Sequence, residues 1–330
     1  MSRSILICPG RGSYTEASLR KLPADDPWVR RAEELRSEMD ADLEPLGSLD
    51  SSDRFEPARH LRPANVSALI WLRTMLDARA AAEEHDLVCV GGNSMGWYTA
   101  LAVTGALSFD DGFRLVQRMS LLQEAGAAGG QVIYPVVDAE WRDDLEALDH
   151  VEAALDLDGV FHSIRLGGYR VLAGSTSGLA ALSERLPKVT IGRVTYPFRL
   201  ALHGPYHTPL AADVARRAAR ELADLEFLRP RMALVDGRGR RFSPWSADLD
   251  ELRSYTLGAQ VTDPFDLTCC VQVMLREWAP EKVVLPGPGN TLGGVVGQVM
   301  VSEGWSGIRS RGDFASRQEG SSPVLLSMDR

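Results

Sequence analysis

HDLVCVGGNSMGWYTA, residues 85–100, is the stretch whose reading decides the fold. Residues 87–90 form a short apolar run rich in β-branched side chains, which predicts a buried strand. Gly91 and Gly92 end the run, and an apolar helical pattern opens at Tyr98. Between the two lies Gly92-Asn93-Ser94-Met95-Gly96, a G-x-S-x-G motif. In a strand–turn–helix setting this motif turns so sharply that its serine is strained and its hydroxyl exposed. The flanking glycines are needed because a Cβ at either place would collide with the neighbouring strand or helix. The helix that follows directs its N-terminal N–H groups back at the site, where they favour negative charge. The plainer reading is an ordinary glycine-rich turn. The strand before and the helix after favour Ser94 as a nucleophile.

Composition narrows the classes. The chain has 330 residues, 45% hydrophobic and 25% charged, as expected of a globular protein with a large core. A formal net charge of −9 argues against a general nucleic-acid binder. Cys8, Cys89, Cys269 and Cys270 lack metal-ligand spacing and read as reduced core residues. Residues 4–8 are too short for a signal peptide, and no apolar run reaches membrane-spanning length. A cytoplasmic protein with no membrane and no nucleic-acid partner is expected.

Working outward, residues 5–8 predict a first buried strand, followed by the turn Pro9-Gly10-Arg11-Gly12-Ser13-Tyr14. Helices are predicted over 26–43, 65–84 and 109–125, with 48–62 as loop. The character changes at residues 126–130. Beyond them come a strand (131–137), a helix (139–157), a hairpin turning at Gly167-Gly168 (160–175), a helix (177–186) and a strand (189–201). Strand, helix, two strands, helix, strand is the ferredoxin-like order. The predicted fold class is therefore α/β: a large domain with a parallel sheet (1–128 and 200–330) and an inserted ferredoxin-like small domain (129–199). Later strands are expected at 232–235 and 282–285, with helices at 211–224, 266–278 and 292–302. The tail beyond 307 reads as a surface wrap or disorder.

A serine nucleophile needs a base and oxyanion donors. Of the six histidines, His60, His85 and His150 lie in polar surroundings and read as solvated, and His162 falls on a strand of the insertion. His203 and His207 lie where the chain returns to the large domain, beside the expected cleft.

Taken in order, Pro9-Gly10-x-Gly12-Ser13, Gly92-x-Ser94-x-Gly96, Tyr206-His207-Thr208-Pro209-Leu210, Gln260-x-x-Asp263-Pro264 and Gly287-Pro288-Gly289 resemble the malonyl-CoA:acyl carrier protein transacylases and the acyltransferases of polyketide synthases. The resemblance spans roughly residues 5–301. It implies an α/β-hydrolase-like large domain, with Ser94 as the acylated serine and His207 as its base. It also implies a main-chain carbonyl at Asp263 that orients the histidine, and oxyanion donors in the N–H groups of Met95 and Arg11. His203 matches no catalytic position and reads as cleft wall. No bound cofactor or metal is implied. The substrates would be an acyl-CoA, or an acyl carrier protein bearing phosphopantetheine.

Departures from the family pattern bear on the cargo. Malonyl-type members hold the substrate's free carboxylate with an arginine in the helix after the nucleophile helix. Gapless alignment from Ser94 places Met119 there, with Arg118 one residue early, a helical rotation of about 100°. Asn93 replaces a usual histidine and Trp97 a usual glutamate. Met119 and Trp97 thus predict a more apolar acyl pocket, with Asn93 beside them, and an acyl group without a free carboxylate; Arg118 is the alternative if it still reaches. Arg216, Arg217 and Arg220 are candidates for docking an acidic carrier. The expected function is a free-standing acyltransferase that loads a carrier protein, in polyketide or specialised metabolism. An acyl-carrier thioester hydrolase, malonyl transfer for fatty-acid synthesis and a carrier-binding scaffold with a silent site are the rivals.

Overall fold

In the computed structural model, which describes residues 1–126 and 128–329, the stretch Ile5–Cys8 has no exposed surface. A run buried on both faces is what a central parallel strand requires. The strand Ser2–Cys8 lies between His85–Gly92 and Lys282–Leu285, parallel to both, with Ile5 paired to Cys89 on one side and Val283 on the other. The six-stranded sheet runs Arg241–Phe242, Ala233–Val235, His85–Gly92, Ser2–Cys8, Lys282–Leu285, Leu325–Ser327, and only the first of these is antiparallel to its neighbour. Helix Pro63–Glu84 starts on a proline, where the missing N–H costs nothing. It packs against Phe109–Glu124, whose N-cap Ser108 accepts from Asp111 N.

A second, antiparallel sheet holds Val160–Leu166, Tyr169–Gly174, Gly130–Pro135 and Phe198–Arg199 in that order, with helices Leu145–Ala154 and Thr176–Arg185. This is the ferredoxin-like arrangement, and it has its own core around Val132, Tyr134, Val151, Leu172 and Leu182. One short strand from the far side of the chain, Phe265–Asp266, joins its edge parallel to Ile164 and Arg165. The α/β class with a parallel sheet and a small ferredoxin-like unit is thus the architecture of the chain.

Several expectations need correcting. Residues 48–62 are not all loop, since short helices occupy Leu46–Asp50 and Pro57–His60. The strand expected over 189–201 is broken into a separate hairpin, Val189–Ile191 with Val194–Tyr196, and then Phe198–Arg199. Gly192 (φ +62) supplies the first central residue of its two-residue turn. The tail folds: Ser310 caps helix Arg311–Glu319, and Leu325–Ser327 extends the large sheet. Gln318 Oε1 fixes that return by accepting from the N–H groups of Val324 and Leu325. Residue 127, in the expected junction between the two units, lies outside the described residues. Among the described residues no helix is long and apolar enough to cross a membrane.

Candidate active site

The carboxyl ends of Ser2–Cys8 and His85–Gly92 lie side by side and deliver two turns to one place. Asn93 N donates to Cys8 O at 2.9 Å, fastening the second turn to the first strand. In open α/β sheets, ligands gather at this end of the strands. Ser94 has φ +53, a left-handed conformation costing a non-glycine residue about 1–2 kcal/mol. A Cβ on Gly92 would lie 2.2 Å from Gly96 O, and one on Gly96 would lie 2.3 Å from Cys8 O. Both contacts are with backbone, so neither position accepts a side chain. Among the described residues, neither Met95 N–H nor Arg11 N–H is engaged in a turn or cap hydrogen bond.

Ser94 Oγ lies 2.7 Å from His207 Nε2. The other ring nitrogen, Nδ1, donates to the main-chain carbonyl of Gln260 at 2.7 Å. That bond fixes the tautomer, leaving Nε2 as the acceptor facing the serine hydroxyl. Burial lowers the pKa of His207 to about 4; the Gln260 carbonyl opposes the shift and the Arg11 charge adds to it. The ring is therefore neutral at ordinary pH, as a base must be.

The carbonyl of Asp263 does not orient the histidine. Gln260 begins the last helical turn, Gln260–Thr262, after a π-helical stretch Tyr255–Ala259. Its carbonyl, left free near the helix end, faces the ring. Asp263 caps that turn from outside, exposed, with its carboxylate accepting from Thr262 Oγ1. Gln260 also acts through its side chain. Nε2 donates to Ser94 O at 3.0 Å, and Oε1 accepts from Tyr98 OH at 2.5 Å. Sequence reasoning quoted Gln260 as part of a motif and missed that it ties the base and the elbow together. The signal available was a glutamine beside a buried run, where an amide must find partners.

Ser94 opens on a cavity of about 370 Å³ in the seam between the two sheets. Ile133, Ile164, Leu166, Val171, Leu292 and Val295 supply much of its apolar lining, and Asn93 lines it beside the serine. A second recess, about 20 Å³, lies behind Ser94 and His207 against Tyr98 and Gln123. Met119 and Trp97 line neither space. Met119 is 1% exposed within the main core. Trp97 is fully buried, its Nε1 donating to Thr256 Oγ1 at 3.0 Å and its ring edge-on to Tyr255. Helical geometry explains both: in the unbroken helices Gly96–Val103 and Phe109–Glu124 these side chains point down into the packing layer. Arg118 does not reach the site either, because its Nε donates to Glu221 Oε2 at 2.6 Å on a surface helix. The expectation of a neutral acyl group loses the two side chains it rested on.

The remaining histidines divide differently from the sequence reading. His60 is not solvated. It is fully buried, stacked on Phe55, with Nδ1 accepting from Glu56 N. His85 Nδ1 lies 2.9 Å from Ser2 Oγ, and His150 is half-buried beside Glu146. His203 does line the cavity, and its Nδ1 lies 2.7 Å from Gln131 Oε1. Of the docking candidates, Arg216 pairs with Asp213, while Arg217 and Arg220 face Glu221. Among the described residues no group of His, Cys, Asp and Glu side chains is placed to hold a metal ion.

No protein-family model matches the chain. Over 306 residues it is 22% identical to the malonyl CoA-acyl carrier protein transacylase of Haemophilus influenzae, covering 91% of this chain and 93% of the relative. The malonyl-CoA:acyl carrier protein transacylase of Xanthomonas oryzae shares its fold with TM-score 0.72 and 24% identity, covering 91% of this chain and 92% of that one. The malonyl-transacylase of a type II polyketide synthase, solved in complex with its acyl carrier protein, superposes with TM-score 0.74 and 19% identity over 99% of this chain and 95% of that one. Along nine-tenths of its length the chain is similar in sequence to the malonyl-CoA–acyl carrier protein transacylases, and it shares their fold.

Proposed function

We propose that this chain is an acyltransferase that moves an acyl group between CoA and carrier-protein thioesters through an acyl-Ser94 intermediate. The observation that carries this reading is the 2.7 Å contact between Ser94 Oγ and a neutral His207 whose other nitrogen is held by Gln260 O. In the first half-reaction Ser94 Oγ attacks the thioester carbonyl carbon while His207 Nε2 takes its proton. The C–S bond breaks, the proton passes to the leaving thiolate, and an ester remains on Ser94. The N–H groups of Met95 and Arg11 are the oxyanion donors in this scheme. In the second half-reaction a pantetheine thiol attacks the ester carbonyl carbon while His207 Nε2 takes its proton; the bond from that carbon to Ser94 Oγ breaks, the proton returns to the serine oxygen, and the acyl group leaves as a thioester.

Several observations support the finer parts. Residues 1–128 with 200–330 form the catalytic unit and 129–199 the unit that roofs it, supported by the separate core of the second sheet. All four cysteines are unpaired, which fits a cytoplasmic setting. The named activities of the relatives favour a malonyl-type donor, and the polyketide relative makes specialised metabolism one setting for it. Transfer of an acyl group lacking a carboxylate is the second reading, favoured by the apolar lining of the larger cavity. Arg216, Arg217 and Arg220 remain the proposed carrier contacts.

The test is intact-mass analysis after exposure to malonyl-CoA and acetyl-CoA. One acyl group per chain is expected on the wild type and none on Ser94→Ala, with the adduct discharged by a holo carrier protein. Discharge at the same rate without carrier would make the chain a hydrolase.

A further inference from the structure

Arg11 is the single formally charged side chain among the described residues that line the cavity at Ser94. It lines the recess behind the serine as well. It is only 8% exposed, and its surroundings do not neutralise it. Nη2 donates to Tyr206 OH, and the guanidinium lies over the Tyr206 ring at 4.5 Å from its centre. Among the described residues, Nη1 is buried with no hydrogen-bond partner and no carboxylate pairs with the group. A guanidinium keeps its charge in proteins. Buried without a counter-ion it is costly, and the cost falls when an anion enters. An aromatic face and a phenol hold the cation, and Nη1 is left unpartnered just beneath the cavity wall, where a small side-chain shift offers it to a carboxylate.

The helix that follows the nucleophile helix offers no alternative cation. Met119 is packed in the core and Arg118 is committed to Glu221. We infer that Arg11 selects the acyl group, its unpartnered Nη1 receiving the terminal carboxylate of a dicarboxylic half-thioester such as malonyl while Ser94 attacks the other end. Cargo choice is thereby moved from a helix to the first loop of the chain, one residue after Gly10. The same residue offers two groups with separate tasks. Its main-chain N–H faces the oxyanion in the scheme above, and its side chain faces the far end of the acyl group. This assignment rests on the acyl-Ser94 reading.

The experiment measures kcat/KM for acylation of Ser94 by malonyl-CoA and by acetyl-CoA in the wild type, Arg11→Gln and Arg11→Lys. The first substitution removes the charge and keeps the main-chain N–H. The second keeps the charge and loses the fork. Thermal melting checks that each variant is folded, and Arg11→Lys carries the test if Arg11→Gln is not. The expected result is a wild type that prefers malonyl-CoA. Its malonyl-to-acetyl ratio of kcat/KM should fall roughly a hundredfold or more in Arg11→Gln and less in Arg11→Lys. Equal losses on both substrates would overturn the assignment, since they would mark a role in oxyanion stabilisation or folding. So would a wild type that loads acetyl but not malonyl, which leaves the acyl-enzyme intact and removes only the selector. Failure of every thioester to label Ser94 would instead remove the acyltransferase reading itself.

Discussion

At the residue scale the site depends on a histidine kept neutral. His207 donates from Nδ1 to a carbonyl, and burial resists a second proton, bringing its pKa down to about 4. His203, half-buried in the cavity wall, is pushed to about 3 by burial and then by the charges of Arg11 and His207. Acylation of Ser94 should therefore be level across neutral pH and fall as the pH drops through about 4, measured as the initial rate of adduct formation. A profile breaking near the ordinary histidine value of about 6.5 would contradict the buried, tethered ring. Stability follows the same groups. Between about 6.5 and 4 the unfolded chain binds protons that the folded chain does not, so stability drops as the pH falls through this window. The melting temperature should decline below about pH 6.5, less steeply in His203→Gln than in the wild type. Ser94 and His207 were legible in the sequence because each sits in a short motif whose spacing serves one chemical need. The role of Gln260 was not, because main-chain carbonyls carry no sequence mark. Which carbonyl faces a ring depends on where a π-helical stretch ends.

At the scale of the element, helix Phe109–Glu124 settles what alignment alone left in dispute. It is continuous, so Met119 occupies the core face and Arg118 lies about 100° away on the solvent side. The helical period predicted that one of the two must face elsewhere. It did not predict that the buried one would pack beneath the site without lining it, because depth along a helix normal is not encoded in periodicity. Trp97 failed as a pocket residue for the same reason. The two positions should therefore behave oppositely. Met119→Ala should destabilise the chain by about 2–5 kcal/mol through the cavity it leaves, with the ratio of malonyl to acetyl loading unchanged. Arg118→Ala removes a half-exposed ion pair with Glu221 and should cost less than about 1 kcal/mol, with acylation at the wild-type rate. Chemical denaturation and the two-substrate loading assay read both. A loss of malonyl loading in Arg118→Ala would return that residue to the site.

For the whole molecule, two packed sheets with separate cores leave a seam, and the seam ends at Ser94. The parallel sheet was legible because its central strands are buried on both faces and read as unbroken apolar runs. The roof was legible in its element order and not in its last segment, where the Gly192 turn lifts a hairpin off the small sheet. That hairpin has a cost the sequence did not reveal: Val189, Ile191, Val194 and, just beyond it, Phe198 leave 37–47% of their surfaces in water. Val194 and Phe198 also line the cavity at Ser94, so the exposed apolar surface continues into the seam. A long thioester reaching Ser94 through this seam would cover both side chains. At about 25 cal/mol per Å² of apolar surface, covering about 60 Å² of these two side chains is worth about 1.5 kcal/mol. The double substitution Val194→Asp with Phe198→Asp should therefore raise KM for the acyl thioester roughly tenfold while leaving kcat near wild type. Because neither side chain is buried in the free protein, the melting temperature should stay within about 2 °C. An unchanged KM would show that substrate enters elsewhere, and a fall in kcat alone would mean the hairpin positions the serine instead of receiving the substrate.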